Sequence, residues 1–171
     1  MAWDRLLTTS QLDKCLSNNS ITSTLYKGTF PADLLPKYSL FECDKPALVV
    51  VNKDSSYGSG SHWILVYLPR DRRQPTFLFD PLGDDLTHTL LDTRIKAFLE
   101  RNSHLRRYAF NAHVVQHRQS TKCGAYVLAA AWLLARGVSP DSLHLYFKSS
   151  GNRTSDESAL KAMVMKMYTN L

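Results

Sequence analysis

The stretch that decides the fold is HWILVYLPRDRRQPTFLFDPLG, residues 62–83. Its two apolar runs, residues 62–68 and 76–80, are rich in β-branched and aromatic side chains, which favours strands over helices. The polar segment between them begins and ends with proline and predicts a turn, so the two runs form a β-hairpin. In a hairpin the first residue of one strand lies near the last residue of the other. We therefore expect His62 and Asp80 to be neighbours although they are eighteen residues apart.

The remaining patterns predict one α+β domain, residues 1–171, with a mixed or antiparallel central sheet flanked by helices. Two further apolar runs predict strands, at residues 47–52 and 112–116. Residues 28–36, GTFPADLLP, are expected to form a turn-rich connection. Helices are indicated by apolar spacing and by start and stop signals at residues 10–16, 92–101, 120–137, 139–147 and 154–168.

Composition excludes several protein classes. The 171 residues are 44% hydrophobic and 21% charged, which is typical of a globular domain. The first residues show no signal-peptide pattern, and the longest apolar run, residues 125–135, is too short to span a bilayer, so no membrane partner is expected. An odd number of cysteines without a secretory signal or a CxxC pair indicates reduced thiols and predicts no metal site: Cys15, Cys43 and Cys123.

Cys123 lies at the junction between a polar loop and the long apolar helix. A thiol in the first turn of a helix faces the positive end of the helix dipole and unpaired backbone N–H groups, and both favour the thiolate. Gly124 leaves room beside the sulfur for a substrate backbone, and the backbone N–H of Cys123 can face a developing oxyanion. The position predicts a nucleophile.

A nucleophilic thiol needs a base, and the base needs an orienting group. His62 and Asp80 can supply these two functions at the end of the hairpin. Gln116, seven residues before Cys123, can donate a second hydrogen bond to the oxyanion, and Gln119 is the competing donor. Each feature alone also fits packing or turn capping, so the prediction depends on all four in this order.

The order HW, LFDPLG, Q and CG resembles the adenovirus protease (adenain) family over roughly residues 25–137. Residues 28–36 and the short length look closer to adenain-like proteases of DNA viruses and virus-like transposons. The resemblance implies an α+β cysteine endopeptidase that cleaves viral precursor proteins during virion maturation, in the host nucleus and the virion. It assigns the roles of base, orienting acid, oxyanion donor and nucleophile to His62, Asp80, Gln116 and Cys123. Trp63 and Gly124 are expected to contact substrate, and a core aromatic is the alternative for Trp63.

The family also implies two activators, a disulfide-bonded peptide and DNA. The cysteine that would bind the peptide is expected eleven residues before the glutamine, where this chain has Leu105, so we expect no covalent peptide activator. DNA remains a candidate because the chain has a net charge of +6 and two arginine clusters, which fit either phosphate contacts or solvated loops: Arg70, Arg72 and Arg73, then Arg101, Arg106 and Arg107.

Two alternatives stay open. The same clan contains SUMO- and ubiquitin-like proteases with the same order of site residues, so the chain could remove ubiquitin-like modifiers. Its basic charge also fits a non-catalytic protein that binds nucleic acid.

Overall fold

The protein is described from a computed structural model that covers residues 6–41, 44–58, 61–83, 92–103, 106–111, 113–147 and 150–168. Within these ranges the strands form one mixed sheet whose spatial order follows the sequence order. The two outer pairs are parallel and the two inner pairs are antiparallel. The strands are β1 (Tyr26–Pro31), β2 (Ala47–Asn52), β3 (Trp63–Leu68), β4 (Thr76–Phe79) and β5 (Tyr108–Phe110).

Helices cover both faces of this sheet. They are α1 (Thr9–Asn18), α2 (Thr93–Asn102), α3 (Cys123–Ala135) and α4 (Arg153–Met167), with short 3-10 helices at Leu35–Lys37 and Pro140–Leu145. One core contains residues of α1, α3 and α4 packed on one sheet face, and a second core contains α2 on the other face. Eleven of the thirteen residues of α3 are buried, which explains why its sequence is apolar all round.

The α+β class and the hairpin are confirmed. Residues 64–67 of β3 alternate between the two cores, as the period of a strand requires: Leu65 contributes to the core with α3, and Ile64 and Val66 contribute to the core with α2.

Two predicted elements at the outer parts of the sheet are wrong. Residues 28–36 were expected to be a connection, but the segment begins inside the edge strand β1, which contains a register shift at Gly28, where φ is 136°. The fifth strand is Tyr108–Phe110, whereas residues 113–116 are irregular. The backbone N–H groups of Val115 and Gln116 both donate to the carbonyl oxygen of Pro81 and so take part in no strand ladder.

No helix in the described ranges combines the length and apolarity needed to cross a membrane.

Gly83 and Gly137 allow a matched test of local packing. Both have positive φ, 58° and 86°. A Cβ atom at Gly83 would lie 2.7 Å from Cγ2 of Val114, whereas one at Gly137 would meet no atom within 4 Å. Gly137→Ala should therefore lower the free energy of unfolding only by the backbone cost, about 1–2 kcal/mol. Gly83→Ala should add an overlap cost of about 1–3 kcal/mol. Urea denaturation measures both losses, and equal losses would contradict the close approach of Gly83 to Val114.

Candidate active site

The hairpin brings His62 and Asp80 into direct contact. His62 immediately precedes β3 and Asp80 immediately follows β4. The imidazole Nε2 lies 2.6 Å from Oδ1 of Asp80, and both residues are buried. The same Oδ1 accepts a hydrogen bond from the backbone N–H of Leu82 at 3.0 Å. The carboxylate is thus held by the turn that follows it, and it fixes the orientation of the ring.

Cys123 is the second acidic partner of the His62 ring. It is the first residue of α3, it is 2% exposed, and its side chain is one of the groups that raise the pKa of His62. Since Nε2 of His62 is bound to Asp80, Nδ1 is the ring nitrogen that remains for the thiol. The structure therefore places three of the four predicted catalytic residues in one continuous contact.

The two acidic partners determine the protonation of His62. Burial disfavours its charged form, but the hydrogen bonds to Asp80 and Cys123 outweigh burial and raise the pKa of His62 from 6.5 to about 9. The direction of this shift favours the imidazolium form of the ring. This is the charge state that a cysteine nucleophile paired with histidine requires.

Gln116 is buried in the loop that leads to α3. Its Nε2 donates to the carbonyl oxygen of Ser120 at 2.7 Å, which leaves its second amide hydrogen for another acceptor. Its Oε1 is buried and has no hydrogen-bond partner within the described ranges. The competing candidate, Gln119, is exposed. The role of Gln116 as an oxyanion donor stays a prediction.

The space beside Gly124 is occupied by the N-terminal segment. A Cβ atom at Gly124 would lie 3.1 Å from Cβ of Leu7 and 3.4 Å from Cδ1 of Trp63. The indole N–H of Trp63 donates to the carbonyl oxygen of Leu7 at 3.0 Å. The space expected for a substrate backbone thus holds Leu7, and the substrate contacts of Trp63 and Gly124 stay predictions.

Lys53 is a site residue that the sequence reasoning missed. Its ammonium Nζ lies 3.8 Å from Oδ2 of Asp80, the carboxylate oxygen that faces away from His62. Lys53 directly follows β2, and its backbone N–H donates to the carbonyl oxygen of His62. Pairing the two predicted strands 47–52 and 62–68 in antiparallel register would have placed it beside the hairpin end.

The predicted arginine clusters lie at the opposite end of the sheet. The first is in the turn between β3 and β4, before Thr76. The backbone N–H of Thr76 donates to the carbonyl oxygen of Arg107, and the Thr76 hydroxyl donates to Ser103, two residues after Arg101. The two clusters therefore converge where β4 begins, whereas Asp80 follows its other end.

Some of these arginines already have protein partners. Arg73 pairs with Asp71 at 3.2 Å, and Nε of Arg70 donates to the carbonyl oxygen of Lys45. DNA binding by the clusters stays a prediction. Leu105 and Cys43 lie outside the described residues.

Replacing Lys53 should change the titration of His62. Lys53→Gln removes a cation that competes with the imidazolium for Asp80, so the pKa of His62 should rise. A partly exposed ion pair is worth up to about 1 kcal/mol, which corresponds to about half a pH unit or slightly more. NMR titration of the ring protons measures the shift, with Lys96→Gln on the exposed face of α2 as the control. An unchanged or lower pKa in Lys53→Gln would contradict this role.

Comparisons with known proteins agree at the level of the fold. No family model matches the sequence, and no curated protein matches it. Among solved structures, the ASFV pS273R protease is 17% identical with a TM-score of 0.57, covering 98% of this chain and 70% of that one. The central domain of Lpg1148 from Legionella pneumophila is 16% identical with a TM-score of 0.51, covering 93% of this chain and 99% of that one.

A third solved structure, ChlaDub1 from Chlamydia trachomatis, is 14% identical with a TM-score of 0.53, covering 98% of this chain and 95% of that one. Such low identities establish shared architecture and no more. The chain thus shares the α+β architecture of these three structures, the fold class that its sequence patterns predicted.

Proposed function

We propose that the protein is a cysteine peptidase in which Cys123 attacks the carbonyl carbon of a peptide or isopeptide bond. The observation that carries the proposal is the His62 ring, which lies between the Asp80 carboxylate and the thiol at the N-terminus of α3. The shared fold of a viral protease supports the assignment. A buried histidine with two acidic partners is the arrangement expected of an activated nucleophile.

In the proposed reaction, the thiol proton of Cys123 already resides on His62, and the thiolate sulfur of this ion pair forms a bond to the substrate carbonyl carbon. The negative charge moves to the carbonyl oxygen, where the backbone N–H of Cys123 and the free amide hydrogen of Gln116 donate to it. The imidazolium then protonates the leaving amine as the C–N bond breaks. Water, deprotonated by His62, hydrolyses the resulting thioester and releases the thiol. Asp80 stays ionised and holds Nε2 throughout.

The proposed substrates are viral precursor proteins, cleaved during virion maturation in the host nucleus and the virion. The adenain-like motifs and the shared fold of the ASFV protease support this class. His62, Asp80 and Cys123 would also hydrolyse an isopeptide bond to a ubiquitin-like modifier. A cleavage assay with both kinds of substrate therefore has to identify the substrate class.

Cys123→Ala should abolish cleavage, leaving at most about 1/1000 of the wild-type rate, because the covalent step is lost. The matched control is Cys15→Ala, which removes the other described buried thiol, whose pKa burial raises. Capsid precursors and electrophilic probes built on ubiquitin-like modifiers should be tested in parallel. Cleavage of the precursors alone supports the endopeptidase, whereas reaction with the probes alone favours the modifier-removing enzyme. Equal cleavage by wild type and Cys123→Ala would refute the proposed function.

The rate should fall at alkaline pH as the His62 imidazolium loses its proton, with a midpoint near its pKa of about 9. The measured value will belong to the Cys123–His62 pair.

Asp80→Asn removes the anion that favours the imidazolium, so the alkaline limb of the pH–rate profile should move to lower pH. The raised pKa also stabilises the fold fully below pH 6.5, and that contribution is lost as the pH rises through about 9. A rate that stays flat across this range would refute the role of His62.

A further inference from the structure

The ladder between β4 and β5 ends at Leu78, two residues before Asp80. Leu78 pairs with Phe110, the last residue of β5, and the backbone N–H of Asn111 still reaches the carbonyl oxygen of Leu78 at 3.3 Å. Beyond this point the chain leaves the sheet. The backbone N–H and carbonyl of Asp80 consequently need partners other than a neighbouring strand.

The side chain of Asn111 supplies both partners. The backbone N–H of Asp80 donates to Oδ1 of Asn111 at 2.8 Å, and Nδ2 of Asn111 donates to the carbonyl oxygen of Asp80 at 2.8 Å. A primary amide presents the same donor and acceptor as a peptide group. The side chain therefore extends the ladder by one step and holds the backbone of the acid in strand-like position.

Asn111 also connects the acid to the loop that carries Gln116. Its Nδ2 donates a second hydrogen bond to the carbonyl oxygen of His113 at 2.9 Å. Two and three residues further on, the backbone N–H groups of Val115 and Gln116 donate to the carbonyl oxygen of Pro81, at 3.0 and 2.9 Å. The residue after the acid and the oxyanion candidate are thus bound to each other, next to the amide of Asn111.

We propose that Asn111 is a positioning residue of the active site, which sets the Asp80 carboxylate against His62 and aligns the Gln116 loop through the same amide group. The catalytic consequence of this inference rests on the proposed function, since it assigns Asn111 no contact with substrate. Misplacement of a catalytic group by about 1 Å can cost about a hundredfold in rate. Three hydrogen bonds to one side chain are sufficient to hold both segments against such a displacement.

Asn111 is uncharged, so its replacement tests geometry separately from charge. Within the described part of the chain, Asp80 and Cys123 are the titratable partners of His62, and Lys53 is the cation next to Asp80. Asn111→Ala replaces none of these three residues. Any change in the titration of His62 would then report movement of the carboxylate.

The experiment compares Asn111→Ala with Asn102→Ala in the full chain. Asn102 is a close match, because its side chain also makes three hydrogen bonds to backbone groups, accepting from Leu40 and donating to Tyr38 and Phe98. It lies in α2, against the other face of the sheet. The readouts are the pKa of His62 by NMR, the alkaline limb of the pH–rate profile, and kcat and KM measured separately.

Asn111→Ala should lower the pKa of His62 by about one unit, as expected when a carboxylate partner moves away. It should also lower kcat by about ten- to hundredfold with little change in KM. Asn102→Ala should lower the free energy of unfolding without either effect. Asn111→Ser, whose hydroxyl can restore one of the three bonds, should give intermediate values and replaces the alanine variant if that variant does not fold.

The proposal is overturned if the His62 pKa is the same in wild type, Asn111→Ala and Asn111→Ser, or if Asn102→Ala lowers it equally. This titration needs no substrate. A wild-type protein that cleaves nothing would therefore refute the proposed function and still leave the placement of Asp80 by Asn111 measurable.

Discussion

The antiparallel pairing of β3 with β4 is the constraint on which the site depends. The register joins Leu65 to Phe79 and Tyr67 to Phe77. Continued by one step beyond the ladder, it sets Asp80 opposite Ile64, so that His62 and Asp80 are diagonal neighbours on one face. A slip of one residue would turn their side chains to opposite faces. The apolar residues of both strands fill the two cores only in this register. The register that packs the cores therefore also places His62 beside Asp80.

The charged form of His62 is favoured by its neighbours and disfavoured by its burial. Burial disfavours the imidazolium, whereas Asp80 and Cys123 both stabilise it. A buried ion pair left without further contacts would cost more than it contributes. Here the carboxylate receives the N–H of Leu82 on one oxygen and faces Lys53 with the other. These contacts stabilise the carboxylate beside a histidine whose pKa is raised within a largely apolar interior.

The sequence was sufficient where long apolar runs decide structure. The two apolar, β-branched runs in residues 62–80 and the polar turn between them predicted the hairpin, and with it the contact between His62 and Asp80; the apolar run after Cys123 predicted the buried helix. It was insufficient at the outer strands. Val114 and Val115 suggested a strand, yet Val114 is 56% exposed, while β1 is interrupted by Gly28 and ends in proline. Because the strand was predicted at residues 112–116 instead of Tyr108–Phe110, Asn111 did not follow the predicted strand. Its hydrogen bonds to Asp80 could therefore not be predicted from the sequence.

Leu7 packs against Gly124, so a ligand that enters beside Gly124 has to displace the Leu7 side chain. The Leu7 side chain and a polypeptide bound beside Gly124 cannot occupy the same volume. Only protein molecules in which Leu7 has moved away from Gly124 can bind a polypeptide there. Apparent affinity for such a ligand is the intrinsic affinity multiplied by that open fraction. A change in how firmly Leu7 is held would accordingly change the apparent affinity for every ligand that enters beside Gly124, with no alteration of the groups that perform the chemistry.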